Sequence, residues 1–196
     1  ADFLRTTERL YNSDRELRAD CPRADVYMTG SDQVWNVIAN GQIDPAYFLD
    51  FVPDDARKIA YAASFGGKSV APADREVVAA LLQRYSAVCV RESSGVQIAA
   101  GLGIRAVQVL DPTLLLDRTD WESMLPNRRP AGDYVLVYQL HPNKSFERYA
   151  AQFAQRRGLK LYRVHPYFHH IVKPGKFVCC PPVQDFLWYI RHARFL

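Results

Sequence analysis

Asp25-Val-Tyr-Met-Thr-Gly-Ser-Asp-Gln-Val-Trp-Asn36 is the stretch on which the fold turns. A short apolar run breaks at Gly30, and Ser31, Asp32, Gln33 and Asn36 then crowd around Trp35. The pattern predicts a buried strand over 25–29 whose carboxyl end opens into a polar loop. In open α/β sheets, ligands sit in the crevice outside the carboxyl ends of the strands. Gly30 suits a positive φ or a close approach of backbone to a ligand. Ser31 and Asp32 are residues that cap a following helical turn, which would gather N–H donors for an anion. The alternative is a turn with a capping residue and a packed Trp, because Gly-Ser-Asp is common in such turns.

Outward from this stretch the same alternation repeats. Residues 58–64 read as a buried strand that ends in the polar, glycine-rich Ser64-Phe-Gly-Gly-Lys-Ser69. Pro72 stands where a helix begins, and Val77, Val78, Leu81, Leu82 and Tyr85 stripe one helical face. Residues 87–90 are a strand ending at Arg91-Glu92, and Ser94 with Gln97 predicts a capping box for the next helix. Residues 106–110 are a strand closed by Asp111-Pro112. Strand and helix in turn argue for a parallel, doubly wound sheet. Before the first strand, residues 2–18 read as one amphipathic helix; residues 46–51 read as a short strand or edge segment.

Beyond residue 111 the order restarts. Residues 112–130 read as a linker, with Thr119 and Glu122 as a capping box for a short helix carrying Trp121. Strands follow at 134–140, 159–164 and 176–180, with helices striped by Phe146, Tyr149, Ala150, Phe153 and Ala154 and by Val183, Phe186, Leu187 and Ile190. Tyr134, Tyr138, Trp188 and Tyr189 read as core. Residues 194–196 look like the start of another strand. The expected organisation is an amino-terminal lobe over 1–111, a linker over 112–130 and a partial second lobe over 131–196. The lack of an initiator Met and the strand-like last residues suggest a piece of a longer protein, cut at both ends.

The 196 residues carry a net charge of +4, with Arg and Lys dispersed, so no nucleic-acid footprint is indicated. No apolar run has the length of a membrane span. The four cysteines include no Cys-x-x-Cys, and reduced cytosolic thiols are the expectation. Adjacent Cys179-Cys180 and His169-His170 are poorly spaced for a shared metal, so no metal site is predicted. There are no internal repeats, and the sequence is silent on oligomeric state. Phe65-Gly-Gly-Lys-Ser69 lacks the first glycine of a phosphate-binding P-loop, because Ala62 stands there. Gly101-Leu-Gly103 lies at a helix end and is no dinucleotide fingerprint. Arg91 at a strand tip offers a bidentate fork for a carboxylate or phosphate. Its bland alternative is an ion pair holding two loops together. His141, at another strand end, is a candidate acid or base, with a solvated loop His as the alternative.

Taken together, Gly30-Ser-Asp-Gln-Val-Trp-Asn36, Tyr47-Phe-Leu-Asp-Phe51, Lys58-Ile-Ala-Tyr-Ala-Ala-Ser-Phe-Gly66, Val90-Arg-Glu-Ser-Ser-Gly95 and Val109-Leu-Asp-Pro-Thr-Leu-Leu-Leu116 followed by Trp121 resemble the polysaccharide pyruvyl transferase family. The resemblance implies a GT-B-like pair of Rossmann-like α/β lobes with parallel sheets, the second incomplete. It implies transfer of the pyruvyl group of phosphoenolpyruvate onto a sugar of a glycan or lipid-linked precursor, with no cofactor, in the cytoplasm. It also implies Arg91 as donor-anion binder, with Gly30, Ser31, Asp32, Asn36 and Ser64 lining the cleft, and the strand-end position of His141 sets it facing the same cleft. The family's acid is a His in a Ser-Phe-His-Gly block, expected beyond Leu196, which would leave this fragment inactive alone. Rival readings are a glycosyltransferase using a nucleotide sugar and a catalytically inactive binding or scaffold module.

Overall fold

A computed structural model describes residues 5–37, 41–128, 132–166 and 173–196. The His169-His170 pair, residues 2–4, Asn40 and residues 129–131 lie outside the described residues. The chain divides into two compact units, one up to Leu116 and one over Asp117–Leu196.

The first unit is built on four parallel strands in the order β1 (Val26–Thr29), β2 (Arg57–Ala63), β3 (Ala87–Val90) and β4 (Ala106–Gln108). Helices α2 (Arg75–Gln83) and α3 (Ser93–Gly101) make the crossovers from β2 to β3 and from β3 to β4. Because the chain steps across this sheet in one direction, right-handed connections put both helices on the same face. Their apolar stripes close a core there: Val78, Leu81, Leu82 and Ile98 pack on Ala60, Ala63, Val88 and Val90, with Trp35, Phe48 and Phe65. On the strands themselves, Val26, Met28 and Val107 remain 40%, 58% and 55% exposed. A bulge between Ala60 and Ala63 breaks the β2–β3 register, with Ala62 in the left-handed region at φ 52°. Lys58 is buried on β2, where Nζ donates to the Pro53 carbonyl at 2.6 Å and burial pulls its pKa down.

Several local readings need correction. The predicted helix over 2–18 is only α1 (Asp14–Ala19) among the described residues, because Ser13 caps it by accepting from the Glu16 N–H while Asn12 N–H donates to Glu16. Residues 46–51 are not a strand: Pro45 at the first position and the Asp44 side chain capping Ala46 start a 3-10 turn over Pro45–Phe48. Pro72 likewise opens a 3-10 turn, Pro72–Asp74, just ahead of α2.

The second unit carries three parallel strands, β5 (Tyr134–Tyr138), β6 (Lys160–His165) and β7 (Lys176–Cys179), in that order. Phe195 adds a parallel bridge to Val135. Helix α5 (Lys144–Arg156) lays Ala150 and Ala154 on Val135, Val137 and Leu161. Helix α6 (Val183–His192) packs Phe186, Tyr189 and Ile190 on Tyr134, Leu136, Tyr162 and Val164. Alternate residues of β5 thus feed two cores, one on each face. Tyr134 and Trp188 are core as predicted, but Tyr138 is 48% exposed, since it lies beyond the last residue of β5 that is buried. The short helix α4 (Arg118–Ser123) is capped by Asp117 and Asp120 in a reciprocal box rather than by Thr119 and Glu122. Glu122 instead receives Arg118 and Arg191, which hold its carboxyl below the usual range. Among the described residues no helix is long and apolar enough to cross a membrane.

Candidate functional site

The mixed α/β architecture with two parallel sheets matches Rossmann-like units, so the carboxyl ends of the strands are where a ligand belongs. In the first unit three of these ends are sewn together. The chain leaves β1 at Gly30, whose φ is +121° and where a Cβ would stand 2.0 Å from the Tyr61 carbonyl oxygen; only glycine passes so close to β2. Asp32 then bridges Ala63, its carbonyl accepting from the N–H groups of Val34 (2.8 Å) and Ser64 (2.9 Å). The Trp35 N–H returns to the Ser64 carbonyl at 3.1 Å. Next to this, Asn36 Nδ2 donates to Gln33 Oε1 at 2.7 Å. Gly66 lies against that pair: its φ is +64°, and a Cβ there would meet Asn36 Nδ2 at 2.2 Å. Ser64 is buried, and its Oγ accepts from the Gly66 N–H at 3.0 Å.

Arg91 leaves β3 with its N–H on the Ala63 carbonyl, and its guanidinium meets three carboxylates. Nε donates to Glu92 at 2.9 Å, Nη1 to Asp111 at 3.2 Å and Nη2 to Asp32 at 3.2 Å. The pKa of Arg91 is pushed up, first by the Glu92 hydrogen bond and then by those of Asp111 and Asp32, against the effect of burial. Asp111 is held below the usual carboxylate range, first by the backbone N–H of Thr113, then by the Thr113 hydroxyl, and also by Arg91. The loop-tying pairing weighed for Arg91 is therefore present, across three segments rather than two.

This pairing settles two local questions. Asp32 turns its carboxylate to Arg91 and does not cap the turn after β1. Glu92 is the N-cap residue of α3, two residues before the Ser94 of the predicted Ser94–Gln97 box, and because its carboxylate goes to Arg91 the helix has no side-chain cap. Beside Glu92 lies an open recess of about 260 Å³, lined by Gln33, Ser64, Gly66, Gly67, Glu92 and Ser94.

Of the predicted residues, Gly30, Asp32, Asn36, Ser64 and Arg91 are brought into one network, and Ser31 sits within its loop. Trp35 takes the packed alternative: it is 1% exposed, stacked on Phe48 at 5.4 Å and against Phe65 at 5.0 Å, with Nε1 donating to the Tyr47 carbonyl. His141 belongs to the second unit, exposed in the turn after β5, with its carbonyl accepting from Gln139. The recess residues Gly66, Gly67, Glu92 and Ser94 were not among the predicted ones. The signal for them was in the sequence, since each follows a strand end within three or four residues. Among the described residues no three of His, Cys, Asp and Glu converge as a metal site would require.

The family model for polysaccharide pyruvyl transferase matches residues 3–196. The chain belongs to the polysaccharide pyruvyl transferase family. Searches of curated proteins and of solved structures found no match.

Proposed function

We propose that the protein transfers the pyruvyl group of phosphoenolpyruvate onto a sugar of a polysaccharide precursor, forming a ketal across two hydroxyls and releasing phosphate. The observation that carries this reading is the family match over residues 3–196, joined to a recess at the carboxyl ends of a parallel sheet. The donor is a small, doubly acidic molecule, so its site must supply hydrogen-bond donors and positive potential. The start of α3, left without a side-chain cap, supplies N–H groups and the positive end of a helix dipole. Gly66 and Gly67 allow close approach of an anion beside Ser64.

Arg91 completes the donor site by exchange. Asp32 is 82% exposed, and its pairing with Nη2 is the most solvated of the three. The donor's carboxylate replaces Asp32 on Nη2, while Glu92 and Asp111 keep the guanidinium aimed. Protonation of the donor's methylene carbon makes a cation that one sugar hydroxyl attacks with loss of its proton; phosphate then departs from that carbon, and a second hydroxyl adds with loss of its proton to close the ketal. By family resemblance the proton comes from the His of a Ser-Phe-His-Gly block, a block that these 196 residues do not contain. The two units are read as the lobes of a GT-B-type pair joined through a linker over 112–130. The donor's origin in central metabolism sets the reaction in the cytoplasm.

The test is stoichiometric. The full-length chain is incubated with phosphoenolpyruvate and a glycan acceptor, and phosphate release and pyruvyl incorporation are followed together. Equal amounts of each support the reading. No phosphate release, with turnover of a nucleotide sugar instead, ends it in favour of a glycosyltransferase.

A further inference from the structure

The second unit has its own recess at strand ends, and it is chemically unlike the first. A pocket of about 200 Å³ opens where β5, β6 and β7 finish, lined by Tyr138, Val164, His165, Pro166, Cys180, Pro181, Val183 and Phe186. Tyr138 is the exception in its strand: the four preceding residues are buried, while its ring is 48% exposed. Phe186 of α6 meets that ring edge-on at 5.1 Å. The Cys180 thiol donates to the Pro166 carbonyl at 3.1 Å on the rim. This is the composition of a small-molecule site, apolar and aromatic walls with a few polar groups among them.

We propose that this pocket is a sugar-ring subsite, with Tyr138 and Phe186 receiving the C–H-rich face of one pyranose ring of the acceptor. The proposal rests on the reading of the protein as a transferase acting on a glycan. Three observations select the occupant. The volume is below the roughly 300 Å³ at which pockets for drug-sized ligands begin, so it suits a single ring. No Lys or Arg is among the described lining residues, so those residues offer a diphosphate-bearing nucleotide neither a guanidinium nor an ammonium group. The half-exposed Tyr138 ring offers a flat aromatic face, while the polar groups of the same lining are the buried His165 and the exposed Cys180.

The experiment measures saturation-transfer NMR from the full chain to methyl glycosides of glucose, galactose, mannose and N-acetylglucosamine. Tyr138→Phe keeps the ring; Tyr138→Ala removes it; Val183→Trp, at a position 60% exposed on the rim, fills the pocket without touching the core. Transfer to at least one glycoside in the wild type and Tyr138→Phe, falling at least about five-fold in the other two, supports the subsite. In turnover, Tyr138→Ala should raise KM for the acceptor about ten-fold with KM for phosphoenolpyruvate unchanged. No transfer in the wild type, equal transfer in Tyr138→Ala, or full displacement of the glycoside by uridine diphosphate overturns it. Loss of glycoside transfer in Tyr138→Ala without any phosphoenolpyruvate-dependent phosphate release would leave the subsite standing and remove the donor reading. Phosphate release with an unaltered acceptor KM would do the reverse.

Discussion

The strand ends of the two sheets are fastened by opposite means. In the first unit the tips of β1, β2 and β3 are held by hydrogen bonds and charge, with one guanidinium facing Asp32, Glu92 and Asp111. In the second, the tip of β5 leans on aromatic packing, with Tyr138 against Phe186 at 5.1 Å. The sheets are also covered differently, with helices on one face of the first and on both faces of the second. Polar fastening leaves groups that can change partners when a charged ligand arrives. Aromatic fastening leaves a surface that recognises shape and tolerates little change of charge.

The strongest way to break this contrast is to remove apolar support from the polar end. Trp35→Ala should cost the first unit about 3–5 kcal/mol, read as loss of protection in hydrogen exchange of β2 and β3. An unchanged protection pattern would mean that charge alone holds those tips. Gly30→Ala should cost at least about 3 kcal/mol, because a positive φ is added to a clash with the Tyr61 carbonyl. If it is tolerated, the close crossing of the β1 loop over β2 is wrong.

Arg91→Met should cost about 1–3 kcal/mol, most of it from leaving the partly buried Asp111 without its cation. It should also abolish phosphoenolpyruvate binding in titration calorimetry, whereas no change in binding would leave Arg91 a structural fastener only. On the aromatic side, Tyr134→Phe removes only the hydroxyl that donates to the Tyr189 carbonyl at 2.7 Å and should cost about 1 kcal/mol.

The smallest effect is one of pH. Asp111 has a depressed carboxyl pKa in the folded chain, so its contribution is complete above the unfolded value and is lost as pH falls through the folded one. Asp111→Asn should be less stable at neutral pH and should lose less stability on acidification from about pH 5 to pH 2. The measurement is urea midpoint against pH; identical slopes would place the acid sensitivity elsewhere.

Most of the strand framework was legible, because short apolar runs bounded by glycine and polar clusters need little tertiary context. Local starts and stops were less so. Asp117 and Asp120 compete with Thr119 and Glu122 for the same cap, and only the presence of Arg118 and Arg191 around Glu122 decides between them. Residues 46–51 have strand-like aromatics, but Asp44-Pro45 overrides that propensity by capping and starting a turn. At the candidate site, the strand-end rule located Asp32, Ser64 and Arg91. It left open whether Trp35 packs inward and whether Arg91 pairs with carboxylates. Both depend on contacts between residues up to 59 positions apart.

The uncovered apolar strand residues Val26, Met28 and Val107 have a practical consequence. A fluorescent dye that brightens on oily surfaces should stain this chain while it is still fully folded. Such a dye would therefore report melting of the protein against a high starting signal, and a fall on binding to a partner would mark where that side of the sheet is shielded.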